Sequence, residues 1–198
     1  MSSPFVGRRL ELEAILAVQR RARADRSPGA VVVIGEPGTG KSRLLVEVAR
    51  QAGAARSVRL VGFEPTQAIP LAAASELLRR LTDVPGHGPT LEGLAFGGHD
   101  TTARDPLRIF EAAHRALTAS GPLLVVVDDL QWVDERTVAL IHYLLRAAGT
   151  ARQALVVIAA ARPSPGAAAF GSGLEAELSS GRWAALELGP LPLEEGLL

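Results

Sequence analysis

Hydrophobic residues along this chain are grouped in short apolar runs, separated by segments with helical periodicity. The apolar runs, several of them rich in valine and isoleucine, predict buried strands of a parallel sheet. They cover residues 30–34, 57–61, 122–127, 154–160 and 183–188. Apolar positions spaced three and four residues apart predict helices across 44–49, 71–81, 106–119 and 138–145. This alternation predicts an α/β fold with three layers, α/β/α, around a five-stranded parallel sheet.

Two segments interrupt the periodicity and predict irregular structure. Residues 82–104 are rich in Gly, Pro and His, which predicts a long exposed loop. Residues 164–166 and 171–173 contain Gly, Ser and Pro and predict a second flexible connection. We therefore expect the sheet to be joined by helices in some places and by loops in these two.

Charge and composition exclude several classes of protein. The 198 residues carry 21 basic and 21 acidic side chains, so the formal net charge is +0, whereas a dedicated nucleic-acid binder carries a basic excess. A cluster of four arginines includes an aspartate and lacks interleaved aromatics, which is typical of a solvated helix end. It consists of Arg20, Arg21, Arg23 and Arg26. Direct binding of nucleic acid is not expected.

The cellular location is predicted from what the sequence lacks. Cysteine is absent, which excludes disulfides, thiolate metal sites and a cysteine nucleophile. No apolar run approaches the ~20 residues that a membrane helix requires, and the first residues form neither a basic region nor an apolar signal segment. The sequence therefore predicts a cytoplasmic chain that does not interact with membranes.

The segment from Gly35 to Ser42 matches the phosphate-loop pattern G-x-x-x-x-G-K-[ST] at every fixed position. It follows a predicted strand and precedes a predicted helix, and Lys41 is the single lysine beside 20 arginines. Glycines allow backbone amides to surround phosphate oxygens at a helix N-terminus. The predicted nucleotide contacts here are Gly35, Glu36, Pro37, Gly38, Thr39, Gly40, Lys41, Ser42 and Arg43. The alternative is an ordinary glycine-rich turn with a solvated lysine.

Two adjacent acids, Asp128 and Asp129, follow the third predicted strand. Ligands bind at the carboxyl ends of strands in open α/β sheets. Asp128 is therefore predicted to hold Mg²⁺ together with the Ser42 hydroxyl, and Asp129 to orient and deprotonate an attacking water. The alternative is a strand-end turn leading to a helix cap, for which Asp134 and Thr137 are equally suitable.

The chain between the two motifs has room for the strand 57–61. An additional strand and a second acid are typical of P-loop NTPases that hydrolyse ATP. In these proteins an extra strand lies between the strand before the phosphate loop and the strand that ends in the acids. Arg162 follows the fourth predicted strand and would lie beside the γ-phosphate if that strand neighbours the strand of the phosphate loop. Otherwise Arg162 is an ordinary surface residue.

Five segments in order carry a resemblance to a known family. They are Phe5–Arg8 with Glu11, Gly35–Ser42, Val125–Trp132, Ala161–Pro163 and Leu188–Leu191. This pattern resembles the ATPase module of the signal-transduction ATPases with numerous domains, most closely that of large bacterial LuxR-type transcriptional regulators.

The resemblance implies roles for further residues. Val6, Gly7 and Arg8 would lie against adenine and ribose, Arg162 would sense the γ-phosphate, and Pro190 would close over the base. It also implies an Mg²⁺-dependent switch that holds ADP, opens and self-associates through a longer parent chain when ATP binds, and resets by slow hydrolysis.

The predicted organisation is a nucleotide-binding core over residues 1–190, with residues 191–198 beginning a truncated lid or linker. Two other functions are compatible with the same motifs. One is a ring-forming AAA-type ATPase related to origin-loading proteins, in which a small polar residue is more usual at the position of Arg162. The other is a degenerate scaffold, which the intact Lys41, Ser42, Asp128 and Asp129 disfavour.

Overall fold

The computed structural model describes residues 7–52, 57–97 and 105–190 of the chain. Its strands are β1 (Gly29–Gly35), β2 (Ser57–Val61), β3 (Leu123–Asp128), β4 (Leu155–Ala161) and β5 (Trp183–Leu188). They form one sheet in the order β2-β3-β4-β1-β5, and every neighbouring pair is parallel. The five predicted strands are confirmed.

Helices cover both faces of the sheet. One face packs against α1 (Arg9–Asp25) and α2 (Lys41–Ala52). The other packs against α3 (Ser75–Thr82), α4 (Gly88–Ala95), α5 (Pro106–Ser120), α6 (Glu135–Ala151) and α7 (Pro165–Glu177). Alternate residues of β1 enter the two cores: Val31 and Val33 face α1 and α2, whereas Ala30 and Val32 face the other group. The three-layer α/β/α architecture is confirmed.

The strand between the two motif strands is β4. After β1 and α2 the chain crosses to the far edge, where it forms β2, and then returns through β3 and β4 towards β1. The expected extra strand is therefore present, but it comes from residues 155–161, whereas the strand 57–61 lies at the edge. Chain order alone does not reveal this, because a crossover of a parallel sheet can skip strand positions.

The prediction of a long loop over residues 82–104 is wrong for the described part, residues 82–97. Helix α4 occupies Gly88–Ala95, with Pro89 in its first turn. Leu91 is completely buried in the core formed with α3 and α5. Burial of this leucine stabilises a helix whose glycine and proline content predicts a loop. Residues 98–104 lie outside the described residues.

The flexible connection predicted around residues 164–173 is also wrong. These residues begin α7, whose N-cap Ser164 accepts a hydrogen bond from the backbone N–H of Ala167. Pro165 occupies the first turn, where its missing N–H costs no hydrogen bond. Phe170 and Leu174 are buried against the sheet and α6, which compensates for the low helix propensity of the glycines.

The helix predicted over 71–81 begins only at Ser75. Leu71 has a φ of +62°, a left-handed conformation that no helix interior contains. The backbone N–H groups of Leu71 and Ala73 instead donate to the carboxylate of Asp134, at 2.7 and 3.1 Å. Side-chain acceptors thus replace the hydrogen bonds of the missing helical turn.

Asp134 is the N-cap of α6, which decides between the two predicted caps. Its carboxylate accepts hydrogen bonds from the backbone N–H and the hydroxyl of Thr137 at 2.9 and 2.7 Å. Because it also accepts from Leu71 and Ala73, one carboxylate joins α6 to the chain leading into α3. Its exposed fraction is 2%.

Replacing Asp134 by alanine is expected to lower the free energy of unfolding by about 3 kcal/mol, because buried donors lose their acceptor. Urea unfolding followed by circular dichroism measures the change. Asp83→Ala, at an exposed helix C-cap, is the matched control and should alter stability by less than about 0.5 kcal/mol. Equal midpoints for the two variants would contradict this role of Asp134.

Two further predictions concern the cluster of arginines and the membrane-spanning helices. Arg20, Arg21 and Arg23 are exposed on the last turns of α1, which ends at Asp25, so this basic run is a solvated helix end. Within the described ranges, no helix combines the length and the apolar character that crossing a bilayer would need.

Candidate nucleotide-binding site

The phosphate-loop segment connects β1 to α2, as its pattern predicts. Gly38 and Gly40 have φ values of +81° and +88°, which glycine adopts without a steric cost. A Cβ atom at either position would meet no atom within 4 Å, so these glycines are favoured by their backbone conformation and not by crowding. Gly35 is required for another reason, since a Cβ there would lie 2.8 Å from the carbonyl oxygen of Leu188. A loop of this shape at a helix N-terminus fits a polyphosphate.

Lys41 extends along this loop from the first position of α2. Its ammonium donates hydrogen bonds to the carbonyl oxygens of Gly35 and Glu36, at 2.7 and 2.9 Å. Its pKa is lowered, chiefly because burial removes water, while the nearby Asp129 carboxylate opposes this change and Arg162 adds to it. The ammonium of Lys41 therefore lies on the loop, close enough to Asp129 and Arg162 for their charges to act on it.

Ser42 and Asp128 come together across the sheet. The Ser42 hydroxyl donates to Oδ1 of Asp128 at 3.1 Å, although 86 positions separate the two residues. The backbone N–H of Asp129 donates to the same oxygen at 3.1 Å. Because a hydroxyl and a carboxylate oxygen are ligands that Mg²⁺ accepts, this pair can hold the ion beside a phosphate.

The other ligands of such an ion would come from phosphate and water. In the described part of the chain, no group of three or more His, Cys, Asp or Glu side chains could hold a metal ion. Mg²⁺ commonly keeps several waters and takes one or two protein ligands plus substrate phosphates. The donor set therefore fits Mg²⁺ bound together with a nucleotide.

Asp129 begins the turn after β3 with a left-handed backbone, at a φ of +51°. Its Oδ1 accepts a hydrogen bond from Nε2 of Gln131 at 2.9 Å. Its backbone is held closely by Gly62, where a Cβ atom would lie only 2.2 Å from the carbonyl oxygen of Asp129. The carboxylate thus has a defined place next to Asp128, and its role as a general base stays a prediction.

Arg162 follows β4, and β4 pairs with β1, the strand that leads into the phosphate loop. The predicted position of Arg162 beside the γ-phosphate depends on this pairing. Its backbone N–H donates to Oε1 of Gln131 at 3.2 Å, and its side chain is exposed. Gln131 thereby joins the ends of β3 and β4 and contacts both Asp129 and Arg162. Gln131 lies in a segment that carries the family resemblance, but its contacts were not predicted, because they depend on β4 lying beside β3.

Arg59 is a second residue that sequence reasoning missed. It lies on the edge strand β2, and its Nη2 donates to Oδ2 of Asp128 at 2.7 Å. A charged residue between the apolar Val58 and Leu60 was the available signal. Its partner could not be inferred before β2 was known to pair with β3.

The N-terminal turn reaches the loop through Arg8, whose side chain is 10% exposed. The guanidinium donates to Oε1 of Glu11 at 3.0 Å, to the carbonyl oxygen of Thr39 at 3.3 Å, and to the carbonyl oxygen of Gly189. Arg8 therefore connects the start of α1, the phosphate loop and the chain after β5. Val6 lies outside the described residues.

The remaining predicted contacts surround this centre. Gly7 has a φ of +73° and forms the turn before α1. Glu36, Pro37 and Arg43 are exposed on the loop and the first turn of α2, and Pro190 is exposed after β5. The structure thus brings the phosphate loop, both acids and Arg162 together at the carboxyl ends of the strands. The adenine contacts of Gly7, Arg8 and Pro190 stay predictions.

Solved structures show similar folds. Cdc6p from Pyrobaculum aerophilum matches with a TM-score of 0.59 and 15% identity, over 98% of this chain and 49% of that one. The Aeropyrum pernix ORC1 protein, solved in complex with DNA, matches with a TM-score of 0.57 and 14% identity, over 98% and 48% of the two chains. These likenesses confirm the fold class, an α/β P-loop NTPase with a parallel sheet. The chain spans about half the length of these structural neighbours.

Comparisons of sequence give the family. A protein of Rhizobium meliloti (strain 1021) with no characterised function is 29% identical in an alignment of 203 positions that covers 83% of this chain and 19% of that protein. The chain thus spans about a fifth of this relative. The model of the family described as "AAA ATPase domain" matches residues 4–158, which include the phosphate loop and both acids. The chain therefore belongs to the AAA ATPase domain family.

Proposed function

We propose that this chain binds ATP and ADP with Mg²⁺, hydrolyses ATP slowly, and serves as the nucleotide switch of a larger cytoplasmic regulator, of the LuxR-type signal-transduction ATPases. The observation that carries nucleotide binding is the meeting of Ser42 with Asp128 at 3.1 Å, directly beside the phosphate loop. An ordinary glycine-rich turn does not require a buried acid from a second strand within hydrogen-bond distance of its serine.

In this proposal each residue has a separate task. The amides of the loop and the Lys41 ammonium hold the phosphates, while Ser42 and Asp128 hold Mg²⁺, which neutralises phosphate charge when bound. Asp129 orients a water molecule and accepts its proton. Arg162, held at its backbone by Gln131, contacts the terminal phosphate and so distinguishes ATP from ADP.

Arg8 supports the switch part of the proposal. A switch requires that the nucleotide favours one arrangement of the chain over another. Arg8 contacts both the carbonyl oxygen of Thr39 in the loop and that of Gly189 after β5. A change in the loop would therefore be transmitted to the point where residues 191–198, the predicted start of a lid, continue the chain. Self-association would then involve other parts of a longer protein.

A second candidate is a ring-forming AAA-type ATPase related to origin-loading proteins. The similarity of fold to Cdc6p and ORC1 favours it. Such an enzyme would turn over steadily and would need an arginine from a neighbouring subunit, so its specific activity would rise with protein concentration. The switch instead predicts tight retention of ADP and slow turnover that is independent of concentration.

The test is to purify the chain, denature it and identify the released nucleotide by ion-exchange chromatography. We expect ADP in an amount close to one per chain, and none from a Lys41→Ala preparation. Calorimetric titration of a nucleotide-free sample with ADP and Mg²⁺ provides a second measurement. Absence of adenine nucleotide in the first test and of binding in the second would contradict the proposed function.

A further inference from the structure

The carboxylate of Asp128 already has a positively charged partner. The guanidinium of Arg59 donates to its Oδ2 at 2.7 Å, and this carboxylate is 4% exposed whereas the Arg59 side chain is 49% exposed. In the pairing of β2 with β3, Arg59 lies opposite Val126 and Val61 lies opposite Asp128. Arg59 and Asp128 are therefore diagonal neighbours on one face of the sheet, within reach of a long side chain.

The two oxygens of Asp128 have different partners. Oδ1 accepts from the Ser42 hydroxyl and from the backbone N–H of Asp129, whereas Oδ2 accepts from Arg59. A guanidinium remains charged at all accessible pH values. A divalent ion at Oδ1 and the Ser42 oxygen would therefore approach a fixed positive charge that shares the same carboxylate.

We propose that Arg59, as a fixed cation paired with Oδ2 of Asp128, lowers the affinity of the nucleotide site for Mg²⁺. This inference rests on the proposed function. The expected direction of the change in Mg²⁺ affinity follows from the different partners of the two Asp128 oxygens. The hydrogen bonds from Ser42 and from the Asp129 backbone keep Asp128 oriented when Arg59 is changed, whereas the repulsion between the guanidinium and Mg²⁺ disappears. Removing the charge therefore strengthens binding of the metal.

The test measures ADP binding by calorimetry on nucleotide-free protein over a series of free Mg²⁺ concentrations, with EDTA as the metal-free point. Arg59→Gln removes the charge and keeps an N–H donor. We expect it to lower the half-saturating Mg²⁺ concentration roughly threefold to tenfold, and to leave ADP affinity in EDTA within about twofold of the wild type.

Two further variants separate charge from other effects. Arg59→Lys keeps the charge and should require nearly the wild-type Mg²⁺ concentration. Arg50→Gln, an equal change of charge at an exposed residue of α2, should leave the Mg²⁺ requirement unchanged. This inference is overturned if Arg59→Gln needs as much Mg²⁺ as the wild type or more, or if Arg59→Lys behaves like Arg59→Gln.

The outcome also separates this inference from the proposed function. A wild-type chain that binds no ADP at any Mg²⁺ concentration overturns both. A wild-type chain that binds ADP with Mg²⁺, beside an unchanged Arg59→Gln, overturns the role of Arg59 alone.

Discussion

Lys41→Ala is expected to abolish measurable binding of ATP, with at least a roughly 100-fold loss of affinity. Charge-assisted hydrogen bonds contribute about 1.5–3 kcal/mol each, so the loss of two such bonds to phosphate corresponds to about two to four orders of magnitude in affinity. The ammonium lies along the phosphate loop, where it contacts the carbonyl oxygens of Gly35 and Glu36. Calorimetric titration of nucleotide-free protein with ATP and Mg²⁺ measures the effect.

Two controls accompany this variant. Arg50→Ala removes a positive charge from an exposed position of the same helix and should leave ATP affinity unchanged. Lys41→Arg keeps the charge but replaces a compact ammonium by a planar guanidinium, so it should bind ATP poorly if the narrow loop requires the lysine shape. Undiminished ATP affinity in Lys41→Ala would show that the loop does not hold the phosphates.

Asp129→Asn is expected to preserve ATP binding and to reduce the rate of hydrolysis roughly 10²- to 10⁴-fold, the range associated with loss of a general base. Asparagine tolerates the left-handed backbone that this position has, with a φ of +51°. Its amide oxygen can also still accept the hydrogen bond from Gln131. The variant therefore changes the ability to take a proton while keeping the surrounding geometry.

Single-turnover hydrolysis of radiolabelled ATP, followed over hours at saturating protein, measures this rate without requiring fast turnover. Glu135→Gln is the matched control, since it neutralises an exposed carboxylate in the first turn of α6 and should hydrolyse ATP at the wild-type rate. If Asp129→Asn hydrolyses ATP as fast as this control, another group must activate the water.

The parts of the site that lie in one short segment could be predicted before the fold was known. The loop from Gly35 to Ser42 places its backbone amides, its lysine and its hydroxyl within consecutive residues, so their relative positions are set by local geometry. Asp128 and Asp129 were predictable for a related reason, because the end of a buried strand lies at the edge where ligands of parallel sheets bind.

Contacts between distant strands could not be predicted in the same way. The partner of Arg59 depends on the pairing of β2 with β3, and the contact between Gln131 and Arg162 depends on the pairing of β3 with β4. The strand order β2-β3-β4-β1-β5 places a late strand between two earlier ones. No local pattern specifies such an order, because it results from where helices on both faces bury most apolar surface.

The sequence by itself determined the α/β class, the phosphate loop and the acids at the end of β3, since apolar periodicity and short motifs depend on neighbouring residues. Only the tertiary structure decided that α4 and α7 are helices, that Asp134 caps α6, and that Arg59 holds Asp128. Weak local preferences in α4 and α7 are outweighed by burial of Leu91, Phe170 and Leu174. The partners of a buried carboxylate are chosen by which strands lie side by side, and that proximity arises only when the whole sheet has formed.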